Sequence, residues 1–219
     1  WDTQTRPQAV LCLMGANQSS IARVGSQVEV VTSLGAVQAQ QVGTGSTVVI
    51  AIHGMNCAPV VVAEWDRIAQ ALDPSRYRII LPNFHSNAQT APGFIRGISY
   101  EAAVTVCLDI MESVSPQSPI VLMGKSWGGG LAARVAAQAP WRVSKLVLVA
   151  PALSEEVTAQ ALNMPTLLLW AKDDWVTWYG RSKIYTSSAP KLTLHSPPTG
   201  GHRVIDSYTD VVSKWLAAS

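Results

Sequence analysis

The sequence predicts an α/β fold in which a mostly parallel central sheet carries helices on both faces. Three observations support this prediction. Apolar, β-branched runs alternate with helical patterns along the chain, as in strand–helix–strand units. The run at 47–52 is apolar after its first residue, which is typical of a strand covered on both faces. The chain is 48% hydrophobic and only 14% charged, below the roughly 25% of an average protein, which indicates a large buried core.

The first half of the chain gives a hairpin, two further strands and two helices. Residues 1–25 have no clear pattern, and we expect a single domain over 26–219. Two β-rich runs flank Ser33-Leu34-Gly35, which predicts a hairpin of strands 27–32 and 36–42. The further predicted elements are strands at 47–52 and 77–82, helices at about 60–72 and 100–113, and a long polar loop at 83–97.

The second half repeats the alternation of strands and helices. The predicted strands are 118–123, 143–150, 166–170 and 191–195. The predicted helices are 131–139, about 178–187, and 204–217, the last with a clear apolar stripe. This order completes the parallel sheet and leaves no linker that would divide the chain.

Composition and charge exclude several classes of protein. A net charge of +2 without a basic block argues against nucleic acid as a partner. No apolar run approaches the roughly 18–20 residues of a membrane span. The three cysteines, Cys12, Cys57 and Cys107, have neither metal-site nor disulfide-framework spacing. The sequence begins at Trp1, so processing of the N-terminus stays open, and neither compartment nor oligomeric state is assigned.

The segment Gly124-Lys125-Ser126-Trp127-Gly128 is the strongest indication of chemistry. It has the G-x-S-x-G pattern, with an apolar run before it and an alanine-rich helical run after it. Such a strand–turn–helix context is typical of a nucleophile elbow, where a serine is lifted onto a strained turn. The flanking glycines leave room where strand and helix close up. Backbone N–H groups at the start of the new helix favour an oxyanion.

The order of these features resembles the α/β-hydrolase superfamily over about residues 26–219. The resemblance is carried by the strand 77–83 and by short motifs on the expected elements. These motifs are His53-Gly54, Trp65, the elbow at Ser126, Asp173-Asp174 and Gly201-His202. The order Ser, Asp, His along the chain is that of the superfamily.

By this resemblance, Ser126 would be the nucleophile and His202 the base that takes its proton. The family's acid lies in a pattern like G-x-x-D-x-V, which aligns Asp174 with it. Two departures, Ala171 for the usual glycine and Trp178 for a common proline, leave Asp173 open as the alternative acid.

The resemblance also implies an oxyanion hole and a pocket. The backbone N–H groups of Met55 and Trp127 would form the oxyanion hole. The candidate pocket residues are His53, Phe84, His85, Lys125 and Trp175, and Trp127 could share this role with Trp175. A structural role in holding the oxyanion loop is the stronger interpretation for His53. Lys125 either pairs with a nearby carboxylate or tunes the site by its charge.

The function implied is that of a serine hydrolase that cleaves a carboxylic ester or thioester through an acyl-enzyme. It needs a small-molecule or acyl substrate and neither metal nor organic cofactor. The connection between the strands 143–150 and 166–170 is too short for a lid domain, so we expect an open site. Two alternatives stay open: a lyase of the hydroxynitrile type or an acyltransferase with the same triad, and a non-catalytic binding protein of the same fold.

Overall fold

The structure is a computed structural model that describes residues 25–55, 64–86, 99–152 and 162–218. Eight strands lie within these ranges: β1 Ser26–Thr32, β2 Gly35–Val42, β3 Thr47–Ile52, β4 Tyr77–Asn83, β5 Ile120–Lys125, β6 Val143–Val149, β7 Thr166–Leu169 and β8 Leu192–His195. The α-helices in the same ranges are α1 Asp66–Ala71, α2 Tyr100–Val114, α3 Trp127–Gln138, α4 Ser182–Ser188 and α5 Asp206–Ala217. Short 3-10 turns occupy Phe84–Ser86, Pro140–Arg142 and Tyr179–Arg181.

All eight of these strands form one sheet in the order β1-β2-β4-β3-β5-β6-β7-β8. The six neighbouring strands β4-β3-β5-β6-β7-β8 are all parallel to one another. The β1–β2 hairpin is antiparallel, and β2 pairs with β4 in antiparallel fashion at one edge of the parallel part. The predicted mostly parallel sheet is therefore confirmed. In the centre, Ile50 of β3 lies between Ile80 and Leu122, and all three side chains are buried.

Four of the described helices pack in two pairs. Helix α1 packs against α5, and α2 packs against α3, which also lies directly on β5 and β6. Ser99 caps α2, since its side chain accepts a hydrogen bond from the backbone N–H of Ala102 at 3.3 Å. Cys107 of α2 is buried as a free thiol. Burial raises its pKa to about 12, so it stays protonated at neutral pH.

Most predicted elements in the described ranges are found, with shifted ends. Strand β5 runs on to Lys125, because Gly124 and Lys125 still pair with Leu148 and Val149 of β6. The helix predicted at 178–187 is divided into a 3-10 turn and α4. The helix predicted from 204 begins at Asp206, since Ile205 has extended backbone angles.

Several expectations fall on residues outside the described ranges. The first part of the helix predicted at 60–72 lies there, as does most of the loop predicted at 83–97. The connection after β6, where we expected no lid domain, includes the undescribed residues 153–161. Residues 1–24 are likewise outside, and with them Cys12.

Candidate active site

The candidate nucleophile Ser126 lies between β5 and α3 in a left-handed backbone conformation, with φ 53° and ψ −118°. This conformation is costly for a residue with a side chain and persists only where its surroundings impose it. Three backbone hydrogen bonds do so here. The Ser126 N–H donates to Val149 O at 2.9 Å, and Ser126 O accepts from Gly130 and Ala152 at 3.0 and 2.8 Å.

The two glycines of the motif lie where the sequence analysis expected close contacts. A Cβ on Gly124 would lie 2.2 Å from the carbonyl oxygen of Gly128. A Cβ on Gly128 would lie 2.3 Å from the carbonyl oxygen of His53, at the end of β3. Both contacts are with backbone atoms, which cannot move aside as a flexible side chain could. The turn that presents Ser126 therefore depends on glycine at both positions.

The structure brings Ser126, His202 and Asp174 into one chain of hydrogen bonds. The Nε2 atom of His202 lies 2.8 Å from Ser126 Oγ, and its Nδ1 atom lies 2.8 Å from Asp174 Oδ2. The side chain of Asp174 is fully buried, and that of His202 is 14% exposed. Since an ionised carboxylate can only accept, Nδ1 carries the proton of the neutral imidazole, and the lone pair of Nε2 faces Ser126.

The two neighbouring acids have different partners. Asp174 Oδ1 accepts from the backbone N–H groups of Val176 and Thr177 at 2.9 and 3.1 Å. Asp173 instead accepts from the N–H groups of Gly200 and Gly201, at 3.3 and 2.8 Å. Only Asp174 of the two is hydrogen-bonded to the His202 ring, whereas Asp173 supports the turn that leads to it.

Burial and hydrogen bonding together set the ionisation of Asp174 and His202. Burial lowers the pKa of His202, and the nearby Lys125 charge adds to this effect, while the hydrogen bond to Asp174 opposes it. For Asp174, burial acts to raise the pKa, but hydrogen bonds from His202 and Thr177 outweigh it, and the pKa is lowered. Asp174 is therefore a carboxylate and His202 a neutral imidazole near pH 7.

The candidate oxyanion loop lies directly beside the elbow. A Cβ built on Gly54 would be 3.4 Å from Ser126 Cβ. Met55 follows Gly54 and is partly buried against the core. Trp127 is the first residue of α3, so its N–H belongs to the first turn of that helix. The structure thus places the two predicted donor residues on segments that flank Ser126.

His53 links the ends of β3 and β4. Its Nδ1–H donates to Gly54 O at 2.6 Å, and its Nε2 accepts from the Phe84 N–H at 3.1 Å. Its side chain is buried, and this burial lowers its pKa to about 3. The His85 ring stacks on it, with centroids 5.1 Å apart. The geometry agrees with the interpretation of His53 as a structural residue, locked as a neutral imidazole.

The predicted pocket residues divide into enclosed and open side chains. His53, Phe84, Lys125 and Trp127 are all buried, so the structure does not present their side chains on an open pocket surface. The Phe84 and Trp127 rings pack edge to face, 5.5 Å apart, beneath the elbow. Trp175, next to Asp174, is 81% exposed. Of the two tryptophans considered for the pocket, only Trp175 has its side chain in contact with solvent.

Sequence reasoning missed Glu64 and Thr177. Glu64 forms a partly buried ion pair with Lys125, so the expectation that this lysine pairs with a nearby carboxylate agrees with the structure. Glu64 lay within a predicted helix, where a glutamate is usually solvated.

The hydroxyl of Thr177 donates to Asp174 Oδ2 at 2.9 Å. Its position three residues after Asp174 in an Asx-type turn was the available signal.

The described residues contain neither a candidate metal centre nor a membrane-spanning helix. No group of three or more His, Cys, Asp or Glu side chains within these ranges is placed to hold a metal ion. None of the helices described is both long enough and apolar enough to cross a bilayer.

Comparison with known proteins identifies the family. The sequence model of the α/β hydrolase fold matches residues 47–161, more than half of the chain, and the protein therefore belongs to this family. No curated protein sequence matches the chain significantly.

Solved structures with the same fold align over most of this chain. A protein described as a predicted CIB-like hydrolase, from Thermoplasma acidophilum, is 20% identical, with 87% of this chain and 98% of that one covered and a TM-score of 0.71. A meta-cleavage product hydrolase from Pseudomonas fluorescens is 18% identical, with 88% and 96% covered and a TM-score of 0.73. Est1E from Butyrivibrio proteoclasticus is 13% identical, with 88% and 98% covered and a TM-score of 0.72. At these identities the likeness establishes the fold alone.

Proposed function

We propose that this protein is a serine hydrolase that cleaves a carboxylic ester or thioester through an acyl-enzyme. The observation that carries the proposal is the continuous hydrogen-bond chain from Ser126 through His202 to Asp174, with both links at 2.8 Å. Membership of the α/β-hydrolase family supports the coarser part, that the protein is a hydrolase. The ester or thioester is part of the proposal, because an activated serine hydroxyl attacks an acyl carbonyl and holds the acyl group as an ester.

The first half of the reaction forms the acyl-enzyme. Nε2 of His202 takes the Ser126 proton as Oγ attacks the acyl carbonyl, and the carbonyl oxygen becomes an oxyanion. The buried carboxylate of Asp174 stabilises the imidazolium that forms. When the tetrahedral intermediate collapses, Nε2–H protonates the departing alcohol or thiol. The Ser126 acyl ester remains.

The second half repeats these steps with water as the nucleophile. His202 removes a proton from water, the hydroxide attacks the acyl-enzyme, and the proton returns to Ser126 Oγ as the carboxylic acid leaves. In both halves the oxyanion would be held by the backbone N–H groups of Met55 and Trp127. One such donor typically lowers a barrier by about 2.7–4 kcal/mol.

Trp175 is the proposed contact for the substrate among the pocket candidates, because its side chain is open to solvent next to Asp174. An indole offers a large apolar surface to an acyl chain or a ring. The enclosed candidates, His53, Phe84 and Lys125, would shape the site from below without touching the substrate. His85, whose ring stacks on His53, remains a proposed neighbour of the substrate.

A series of p-nitrophenyl esters from acetyl to palmitoyl tests the proposal. The wild type should hydrolyse part of the series, and Ser126→Ala should reduce kcat by about 10⁴-fold or more. Ser187→Ala, which removes an exposed hydroxyl on α4, is the matched control and should keep wild-type activity. A serine-directed phosphonate should label the wild type and not Ser126→Ala. Retained hydrolysis in Ser126→Ala, or an unlabelled and inactive wild type, would contradict the proposal.

A further inference from the structure

Glu64 joins two segments that both border Ser126. Its Oε1 lies 2.8 Å from the Nζ atom of Lys125, the residue before the candidate nucleophile. Its Oε2 accepts a hydrogen bond from the backbone N–H of Gly54 at 2.9 Å, one residue before Met55. The side chain of Glu64 is 12% exposed and that of Lys125 is 5% exposed, so the pair is largely shielded from water.

The surroundings of Glu64 hold it in place. The next residue, Trp65, is buried, and its indole N–H donates to Ile52 O at the end of β3, at 3.2 Å. The Lys125 side chain packs on Gly54, because a Cβ built on Gly54 would lie 3.0 Å from Lys125 Cδ and 3.1 Å from its Nζ. The carboxylate, the ammonium and the loop backbone therefore form one packed unit with little freedom to shift.

We propose that Glu64 is a positioning residue for the oxyanion hole. Through its two carboxylate oxygens it ties the Gly54–Met55 loop to Lys125 and so to the elbow that carries Ser126. The Met55 N–H is thereby kept at a constant distance from the serine throughout the reaction. This inference rests on the proposed function, since it assigns a role within the same acyl-transfer site.

Stability alone does not explain such a pair. Two charges removed from water gain little net free energy from their attraction, and a well-packed apolar pair often does as well. What the carboxylate adds is geometry, since it accepts from a backbone amide and an ammonium at once. A glutamine side chain has one acceptor oxygen, so it can keep only one of these partners, and its NH₂ group would then face the Lys125 ammonium.

The same pair acts on His202 through space. The positive charge of Lys125 lowers the pKa of His202, and the negative charge of Glu64 raises it. Among the described residues, Asp174 also acts on this imidazole by its charge, and Ser126 and Thr177 are its neutral partners. Neutralising Glu64 should therefore lower the pH midpoint of activity, and neutralising Lys125 should raise it. These charges act on His202 whether or not the loop is held, so the midpoint measures the electrostatic effect of the pair, and the separate changes in kcat and KM measure the positioning.

A double-mutant cycle tests the role with Glu64→Gln, Lys125→Met and the two combined. For each protein, kcat, KM and the pH profile are measured with the best p-nitrophenyl ester, together with thermal unfolding. Glu64→Gln should lower kcat by about 10- to 100-fold, with KM changed less than about threefold, because the loop loses its alignment rather than its substrate contacts. In the combined variant the introduced glutamine can accept from the Gly54 N–H with no opposing ammonium, so part of kcat should return.

Glu112→Gln is the matched control. Glu112 lies on α2, and its Oε2 atom is 2.6 Å from the Nη1 atom of Arg142. The substitution neutralises this carboxylate and should leave kcat and the pH midpoint as in the wild type. If Glu64→Gln fails to fold, the combined variant carries the test, because it leaves no buried charge unpaired. Wild-type kcat in folded Glu64→Gln, or wild-type kcat in the combined variant where Glu64→Gln does not fold, would overturn the positioning role, while an inactive Ser126→Ala would still support the serine mechanism. Activity retained by Ser126→Ala would instead remove the proposed function and this inference with it.

Discussion

Thr177 holds both carboxylate oxygens of Asp174. Its backbone N–H donates to Oδ1 at 3.1 Å, and its hydroxyl lies 2.9 Å from Oδ2, the oxygen that also faces Nδ1 of His202. The Thr177 hydroxyl lies 3.2 Å from this Nδ1 atom and from Ala150 O. Thr177 thus helps to fix the plane of the carboxylate relative to the imidazole, together with the Val176 N–H on Oδ1, and in the proposed reaction that plane decides how well the imidazolium is stabilised.

Removal of this hydroxyl should slow the reaction without weakening substrate binding. Thr177→Val keeps the shape and the backbone N–H but leaves Oδ2 with one donor fewer, a loss of about 1 kcal/mol. We expect kcat to fall by about 5- to 10-fold and KM to stay within about twofold. Thr177→Ser retains the hydroxyl and should keep most of the wild-type kcat. Steady-state kinetics of the three proteins provide the measurement, and equal rates in Thr177→Val and the wild type would count against the role.

The two adjacent acids should differ strongly on substitution. Asp174→Asn removes the acceptor that holds the Nδ1–H tautomer of His202, and the corresponding change in serine proteases lowers kcat by about 10⁴-fold. Asp173→Asn keeps one acceptor oxygen, which can serve the Gly201 N–H at 2.8 Å, and loses the longer hydrogen bond from the Gly200 N–H at 3.3 Å, so it should cost less than about tenfold. Measuring kcat for both variants side by side decides the matter, since the reverse ranking would make Asp173 the acid.

The pH dependence of kcat/KM should have its rising limb on the acid side of the ordinary histidine value of about 6.5. The base must be neutral to accept the Ser126 proton, and burial lowers the pKa of His202. Activity is therefore lost as the pH falls through this lowered pKa and is complete above it. A profile from pH 4 to pH 9 with a pH-stable activated ester measures the midpoint. A midpoint above the ordinary value would show that the Asp174 interaction outweighs burial.

The sheet and the elbow could be predicted because their causes are local. An apolar run, two glycines and a helical pattern around Ser126 predict the turn from neighbouring residues, and the steric contacts at Gly124 and Gly128 agree with that expectation. The order of serine, acid and histidine along the chain matched that of the superfamily, and so predicted that His202 lies near Ser126. Helix ends were less predictable, since the backbone at Ile205 is extended despite its place in the apolar stripe.

Long-range partners could not be predicted in the same way. Glu64 and Lys125 are far apart in sequence, and they form an ion pair because the fold brings the segment of Glu64 and Trp65 to the end of β3, beside the elbow. For Phe84, the sequence suggested an open side chain where the structure has an enclosed one. Its place in a polar loop suggested contact with a substrate, whereas its ring is buried against Trp127. In both cases the deciding quantity is the burial of the side chain, which depends on elements distant in the chain.

His53 should make the fold less stable as the pH falls. Its folded pKa of about 3 lies well below the ordinary value of about 6.5 expected in the unfolded chain. Between these values only the unfolded chain binds the proton, so this contribution is fully present above about pH 6.5 and is lost as the pH falls towards 3. Between pH 7.5 and pH 4.5 the loss from this group should be about 2–3 kcal/mol.

Urea unfolding of the wild type and His53→Gln at these two pH values measures that contribution. The glutamine variant should be less stable than the wild type at pH 7.5, because it loses the imidazole ring that is hydrogen-bonded to both Gly54 O and the Phe84 N–H. Its unfolding free energy should nevertheless change less between the two pH values than that of the wild type. The comparison uses the difference between pH values within each protein, so the cost of the substitution itself cancels. An equal change in both proteins would mean that His53 takes up a proton in the folded state as readily as in the unfolded chain.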